Sequence, residues 1–161
     1  MDFKTARGRP NFHGIDIERI KSSSEKLFGN IIPTPTIFVQ SLSKLFELSL
    51  HLKQENLKLT SSFKFRGVFI ALKALNNKSK KTGVITMSEG NHAQALVFRS
   101  QQEKIKSIIV MLKQTPFTKI SKTKSYGAEI VLTGRPFDDA KSKVEQLLSK
   151  NRFILFTLLI N

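Results

Sequence analysis

The chain has 161 residues, 40% of them hydrophobic and 24% charged, which allows a packed core and argues against wholesale disorder. It contains no Cys and three His, so disulfides, thiolate metal sites and a Cys nucleophile are excluded and no metal site is expected. The formal charge of +15 comes from twenty Lys and seven Arg; spread-out Lys lacks the forked donors that base and phosphate recognition favours, so a nucleic-acid partner is not the leading expectation.

Residues 1–14 are polar, carry Gly8, Pro10 and Gly14, and read as a loose arm. Residues 15–28 read as a helix stopped by Gly29. Pro33 and Pro35 force their predecessors into extended backbone. Residues 42–48 suit a short helix, and the alternation of Leu48, Leu50 and Leu52 with polar neighbours predicts a half-buried strand over 48–53. A helix is expected over 63–75, with Phe65, Phe69, Leu72 and Leu75 on one face. A repeating theme follows. Strands are expected at 83–87, 107–112 and 128–132, and helices at 91–103, 116–126 and 138–150. Thr115 would cap the second of these helices, Pro116 would open it and Gly127 would stop it. An apolar run at 153–159 closes the series. Strand and helix alternating over short connections is the pattern of βαβ units and a parallel sheet.

No apolar run reaches the ~18–20 residues that span a bilayer, and the start Met1-Asp2-Phe3-Lys4 has no apolar signal core. A membrane partner is therefore not expected, and a cytoplasmic location is.

Two segments carry the chemistry. Glu55 to Gly67 reads Glu-Asn-Leu-Lys-Leu-Thr-Ser-Ser-Phe-Lys-Phe-Arg-Gly. It puts Lys64 at the start of a helix, where the helix dipole favours the neutral, nucleophilic amine. Ser88-Glu89-Gly90-Asn91-His92-Ala93-Gln94 leaves a strand and opens a helix. Free backbone N–H groups at such a junction bind anions, and Gly90 permits close approach. The plainer alternatives are one more surface lysine, an ordinary turn capped by Ser88 or Asn91, and a packed or solvated His92.

Together these segments resemble the pyridoxal-phosphate enzymes of the tryptophan-synthase-β-like fold (fold type II), in the threonine/serine dehydratase and serine racemase branch. Thr34-Pro35-Thr36, Leu52-Lys53-Gln54-Glu55-Asn56-Leu57, Ser62-Phe63-Lys64-x-Arg66-Gly67 and Ser88-x-Gly90-Asn91-His92-Ala93-Gln94 are similar to its motifs. Thr115-Pro116, Lys119, Tyr126-Gly127-Ala128-Glu129-Ile130-Val131 and Asp138-Asp139-Ala140 continue in its order. The resemblance covers residues of about 30–156. It implies an α/β fold of open parallel sheets flanked by helices. A small domain over 61–150 would join an incomplete large domain. The large domain would take in 31–60, after an arm and helix at 1–30, with a truncated end at 151–161. Residues 31–59 and the final strand would belong to a second sheet.

The resemblance also implies roles. Lys64 would bind pyridoxal 5′-phosphate and move the Cα proton, Phe63 would pack beside its ring, and Asn91 would hydrogen-bond its 3′-hydroxyl. Ser88, Gly90, Asn91 and His92 would cradle the α-carboxylate of a small amino acid. The reaction would be loss of water from threonine or serine, giving a 2-oxo acid and ammonia; serine racemization is the neighbouring activity. Homo-oligomers occur in the full-length family.

The departures are specific. Ser61 stands where the family has Gly. Glu89 stands where it has a small residue, Ser in racemases, and a carboxylate there is expected to oppose the substrate carboxylate. Ala95 matches the racemase-like members. None of the eight Gly forms the family's phosphate-binding cluster, which lies beyond Asn161 in its order. The chain thus reads as an N-terminal fragment, poorly active or inactive alone, with a non-catalytic remnant or binding partner as the alternative.

Overall fold

The computed structural model describes residues 16–134 and 136–157. The polar arm, the first residue of the expected first helix and the tail residues Leu158, Leu159 and Ile160 lie outside the described residues. The chain divides into two compact units, 1–31 and 32–161.

The first unit holds α1 (Ile17–Leu27). Asp16 caps it by accepting the Arg19 amide at 2.8 Å. Gly29 follows at φ +73°, the left-handed backbone that ends helices.

In the second unit, β1 (Thr36–Phe38) pairs antiparallel with β2 (His51–Lys53), with Ile37 opposite Leu52. The helix α2 (Gln40–Phe46) lies between them in sequence. The strand expected over 48–53 is shorter than the alternation predicts and is not half-buried. Leu48 and Leu52 are both exposed, because no layer of the described residues covers this two-stranded ribbon. A 3₁₀ turn (Glu55–Leu57) leads on to α3 (Lys64–Ala74).

Helix propensity alone would not hold α3, which contains Gly67, Val68, Phe69 and Ile70. Packing does. Phe65, Val68, Phe69 and Leu72 are buried, each stabilising by about 1.5–3 kcal/mol. The polar helix α4 (Asn77–Thr82) follows, capped by Asn76 accepting the Ser79 amide at 2.8 Å.

The remaining elements are β3 (Val84–Met87), α5 (Asn91–Gln102), β4 (Ser107–Leu112), α6 (Phe117–Ser125), β5 (Glu129–Thr133), α7 (Phe137–Lys150) and β6 (Ile154–Leu155). The strands form one parallel sheet in the order β5-β4-β3-β6. Gly83 opens β3 at φ +87°, and a Cβ there would sit 2.8 Å from the Lys106 carbonyl oxygen, so only glycine fits.

β6 corrects the expected arrangement. The final strand joins the main sheet, pairing Val84 with Ile154 and Ile85 with Leu155, rather than a second one. The reason is the crossover: α7 carries the chain from β5 back across the sheet to the free edge of β3. Right-handed crossovers then put α7 on the face opposite α5. Alternation along β4 supports this, since Ile108 and Val110 pack with Ala140 and Val144 of α7. Buried Ile109 and Met111 point to the other face, where α3 packs on α5.

Candidate active site

The winding of the sheet reverses between β3 and β6: α5 leaves β3 toward β4 on one face, and α7 brings the chain to β6 on the other. Ligands of open α/β sheets bind at such a switch point, outside the carboxyl ends of the strands. Ser88 sits there. Its hydroxyl accepts the Ala93 amide at 3.3 Å and the Gly90 amide at 3.4 Å, bracing the turn, while Gly90 and not Ser88 or Asn91 holds the cap position of α5. The amides of Asn91 and His92 have no acceptor among the described residues. A Cβ built on Gly90 would meet nothing within 4 Å. The turn therefore presents two free donors at the positive end of α5, beside open space.

Lys64 opens α3, whose first turn is held by Ser62, a buried residue whose hydroxyl accepts the Lys64 amide at 3.2 Å. Lys64, Ser88 and His92 line one cavity of about 650 Å³, within the range of small-molecule sites. Thr86 and Met87 of β3, Phe137, Lys141, Val144, Glu145 and Leu148 of α7, and Leu155 complete much of its wall. Sequence reasoning missed the α7 side. Its signal was present only as apolar spacing, which says nothing of which cavity a helix borders.

His92 is tied to the end of the sheet. Its Nε2 lies 3.3 Å from the Phe156 carbonyl oxygen and its ring stacks on Phe156, centroids 5.9 Å apart at 13°. A carbonyl only accepts, so Nε2 carries the hydrogen and Nδ1 keeps its lone pair, buried without a partner among the described residues. Burial pushes the imidazole below its ordinary pKa, the Phe156 carbonyl opposes that, and the charge of Lys64 adds to it. The ring is neutral near pH 7.

The other expected site residues lie differently. Phe63, Glu89, Gly90 and Asn91 are not among the residues lining the cavity. Phe63 is 59% exposed, and the Lys64 ammonium stands 5.0 Å from its ring centroid. Asn91 is exposed at the first position of α5. Glu89 departs from the expected placement beside a substrate carboxylate, because its carboxylate is turned to the sheet and accepts the Leu112 amide at 3.2 Å. Thr115 is likewise not the cap of α6: Pro116 holds that position, and the Thr115 hydroxyl is buried without a partner among the described residues.

Comparison with known proteins matches this arrangement. A family model described as pyridoxal-phosphate dependent enzyme matches residues 27–157. An L-threonine ammonia-lyase of Thermotoga maritima is 36% identical over 126 residues, covering 78% of this chain and 31% of its own. A serine racemase of Schizosaccharomyces pombe is 33% identical over 128 residues, covering 80% of this chain and 40% of its own. The solved structure of maize serine racemase superposes with a TM-score of 0.84 at 23% identity, over 91% of this chain and 44% of that one. The chain thus spans 31% to 44% of the length of these proteins.

Proposed function

The chain belongs to the pyridoxal-phosphate dependent enzyme family, and from that premise we propose that it serves a threonine or serine dehydratase. The reaction is β-elimination of water from the amino acid, giving a 2-oxo acid and ammonia. The observation that carries this reading is that one cavity is lined by a lysine at a helix start and by an anion-binding turn. Residues 61–150 are then the small domain, and 31–60 part of the large one. The compartment is the cytoplasm, in keeping with the absence of cysteine; no helix among the described residues is long and apolar enough to cross a membrane.

The residues present fit pyridoxal phosphate at its aldehyde and substrate ends: an amine, two free amides and an open face at Gly90. None of the eight glycines forms a phosphate-binding cluster. When bound, the cofactor supplies an electron sink for the bond that breaks. Lys64 would hold the cofactor aldehyde and, once the substrate amine has displaced it, its freed amine would take the proton from the substrate Cα. The free amides of Asn91 and His92 hold the α-carboxylate, with Ser88 fixing the turn and Gly90 leaving it open. Phe63 would flank the ring and the Asn91 side chain would meet its hydroxyl only where the bound group reaches past the cavity, since neither residue lines it.

Elimination is favoured over racemization by Glu89. Racemization needs an acid or base on each face of the substrate, and this carboxylate is bonded to Leu112 instead of facing the cavity. The test adds pyridoxal phosphate to the protein and follows the visible absorbance of the lysine adduct, with Lys64→Ala as control. Turnover is tested with this segment joined to the remaining length of a relative: release of 2-oxobutanoate from threonine, without D-serine from L-serine, is expected there, and little or none from the 161 residues alone. An adduct that persists in Lys64→Ala would remove Lys64 from its role.

A further inference from the structure

Three motifs of the sequence meet in one charge cluster that the site itself does not use. Arg66, in the first turn of α3, donates Nε–H to Glu55 Oε2 at 2.9 Å and Nη2–H to Glu55 Oε1 at 2.7 Å. This is a bidentate fork, which fixes direction as well as distance. The Thr34 hydroxyl donates to the same Oε1 at 2.7 Å, and Thr34 is buried. The segment carrying Thr34 is stiffened by Pro33 and Pro35. It is held at two further points: the Lys58 ammonium donates to the Ile32 carbonyl, and Lys53 to that of Thr34. Lys58 is itself buried.

Helix geometry turns this cluster into a constraint on Lys64. Successive residues of a helix project about 100° apart. Lys64 borders the cavity, Phe65 is buried against Phe98 with ring centroids 5.8 Å apart, and Arg66 is clamped by Glu55. Arg66 thus projects from the side of α3 roughly opposite Lys64. Two anchors on neighbouring residues, one apolar and one ionic, set the roll of the first turn.

We propose that the Glu55–Arg66 pair, steadied by Thr34, is a positioning device for Lys64: it fixes the rotation of the start of α3 so that the lysine amine is presented beside Ser88 and His92. Neither Glu55 nor Arg66 is catalytic, since neither lines the cavity. The proposal rests on the reading of Lys64 as the residue that binds the cofactor aldehyde, and its test separates the two.

The protein is incubated with pyridoxal phosphate, whose aldehyde condenses with a lysine amine and loses one water. Borohydride then delivers hydride to the carbon–nitrogen double bond, and peptide mapping measures how the label is shared among the twenty lysines. The wild-type chain is expected to concentrate label on Lys64. Glu55→Gln is expected to lower the Lys64 share at least about tenfold, the scale on which misplacement by about 1 Å acts, with the exposed lysines labelled as before. Arg66→Lys keeps the charge but loses the fork and should fall between. The swap Glu55→Arg with Arg66→Glu should restore part of the share. If Glu55→Gln does not fold, Arg66→Lys and the swap decide the matter by the same measure. Circular dichroism and the thermal midpoint confirm that each compared variant is folded. An unchanged Lys64 share in folded Glu55→Gln or Arg66→Lys would overturn the positioning role alone. A wild-type chain that labels Lys64 no more than other lysines would overturn the cofactor reading, and this proposal with it.

Discussion

Glu89 and Leu112 are joined across the end of the sheet, carboxylate to backbone amide, at 3.2 Å. β3 stops at Met87 while β4 runs on to Leu112. The Ser88 amide still reaches the Val110 carbonyl, and the next amide of β4 has no strand beside it. Glu89 supplies the acceptor that a longer β3 would have provided. Glu89→Ala should therefore leave a part-buried donor unpaired and cost about 1–2 kcal/mol, read as a thermal midpoint lower by several degrees. Glu89→Gln keeps a carbonyl acceptor and should stay close to wild type. A stabilised Glu89→Ala that also binds amino acids better would return Glu89 to the cavity.

His92 makes the β6 edge sensitive to acid. Its folded pKa lies below its ordinary value of 6.5, chiefly through burial. A base depressed in this way contributes stability that is complete above the unfolded pKa and is lost as pH falls through the folded one. The Phe156 amide, which donates to the Ile85 carbonyl at 2.8 Å, reports on that edge. Its hydrogen exchange, corrected for the intrinsic rate, should speed up as pH falls below 6.5, and His92→Gln should abolish the dependence.

Ser61 holds φ +54°, left-handed backbone that a residue with a Cβ adopts at a cost of about 1–2 kcal/mol. Its amide is fixed by the Lys58 carbonyl at 2.7 Å, so the strain cannot relax locally. Ser61→Gly should gain roughly 0.5–1 kcal/mol after the larger unfolded-state entropy of glycine is set against it. A higher urea midpoint with unchanged slope would show this. Ser61→Ala should give no gain.

Glu55 is held at a pKa of about 2, first by its hydrogen bonds to Arg66, against the opposing effect of burial, and then by Thr34. A lowered carboxylate contributes stability that is fully present above its unfolded value near 4.5 and is lost as pH falls toward about 2. Solvent screening at the part-exposed Arg66 brings that contribution to about 1–3 kcal/mol. Acid titration of the wild-type chain should show that loss between pH 4.5 and 2, and Glu55→Gln should flatten it while lowering stability at neutral pH.

Some of this was legible in the sequence for physical reasons. The buried strands β3 and β4 announce themselves because both faces are covered, so β-branched and apolar residues run together, with only the small hydroxyls of Thr86 and Ser107 among them. Lys64, Ser88 and His92 were legible as motifs, and the fold brings them to one cavity. Other features carry no local signal. The helix α4 is six polar residues whose stability depends on the Asn76 cap. The apolar run of β6 does not say which edge it will find, since that is decided by where α7 crosses the sheet. Glu55 and Arg66 lie eleven positions apart with no periodicity between them, so only the fold reveals the pair. The cap expected of Thr115 fails because the strand exit buries that residue before the helix begins.

β6 also sets the order in which this sheet can assemble during synthesis. A ribosome delivers the chain from the N-terminus at about 5–20 residues per second, and β3, β4 and β5 can pair as soon as each emerges. Ile154 can dock on Val84 only after everything between them has been made. Until then β3 keeps one bare edge, the Phe156 carbonyl that receives His92 does not exist, and the cavity lacks the wall that Leu155 gives it. The nascent protein thus carries Lys64 and the Ser88–His92 turn through translation, and the wall that Leu155 gives their cavity is added only when β6 docks.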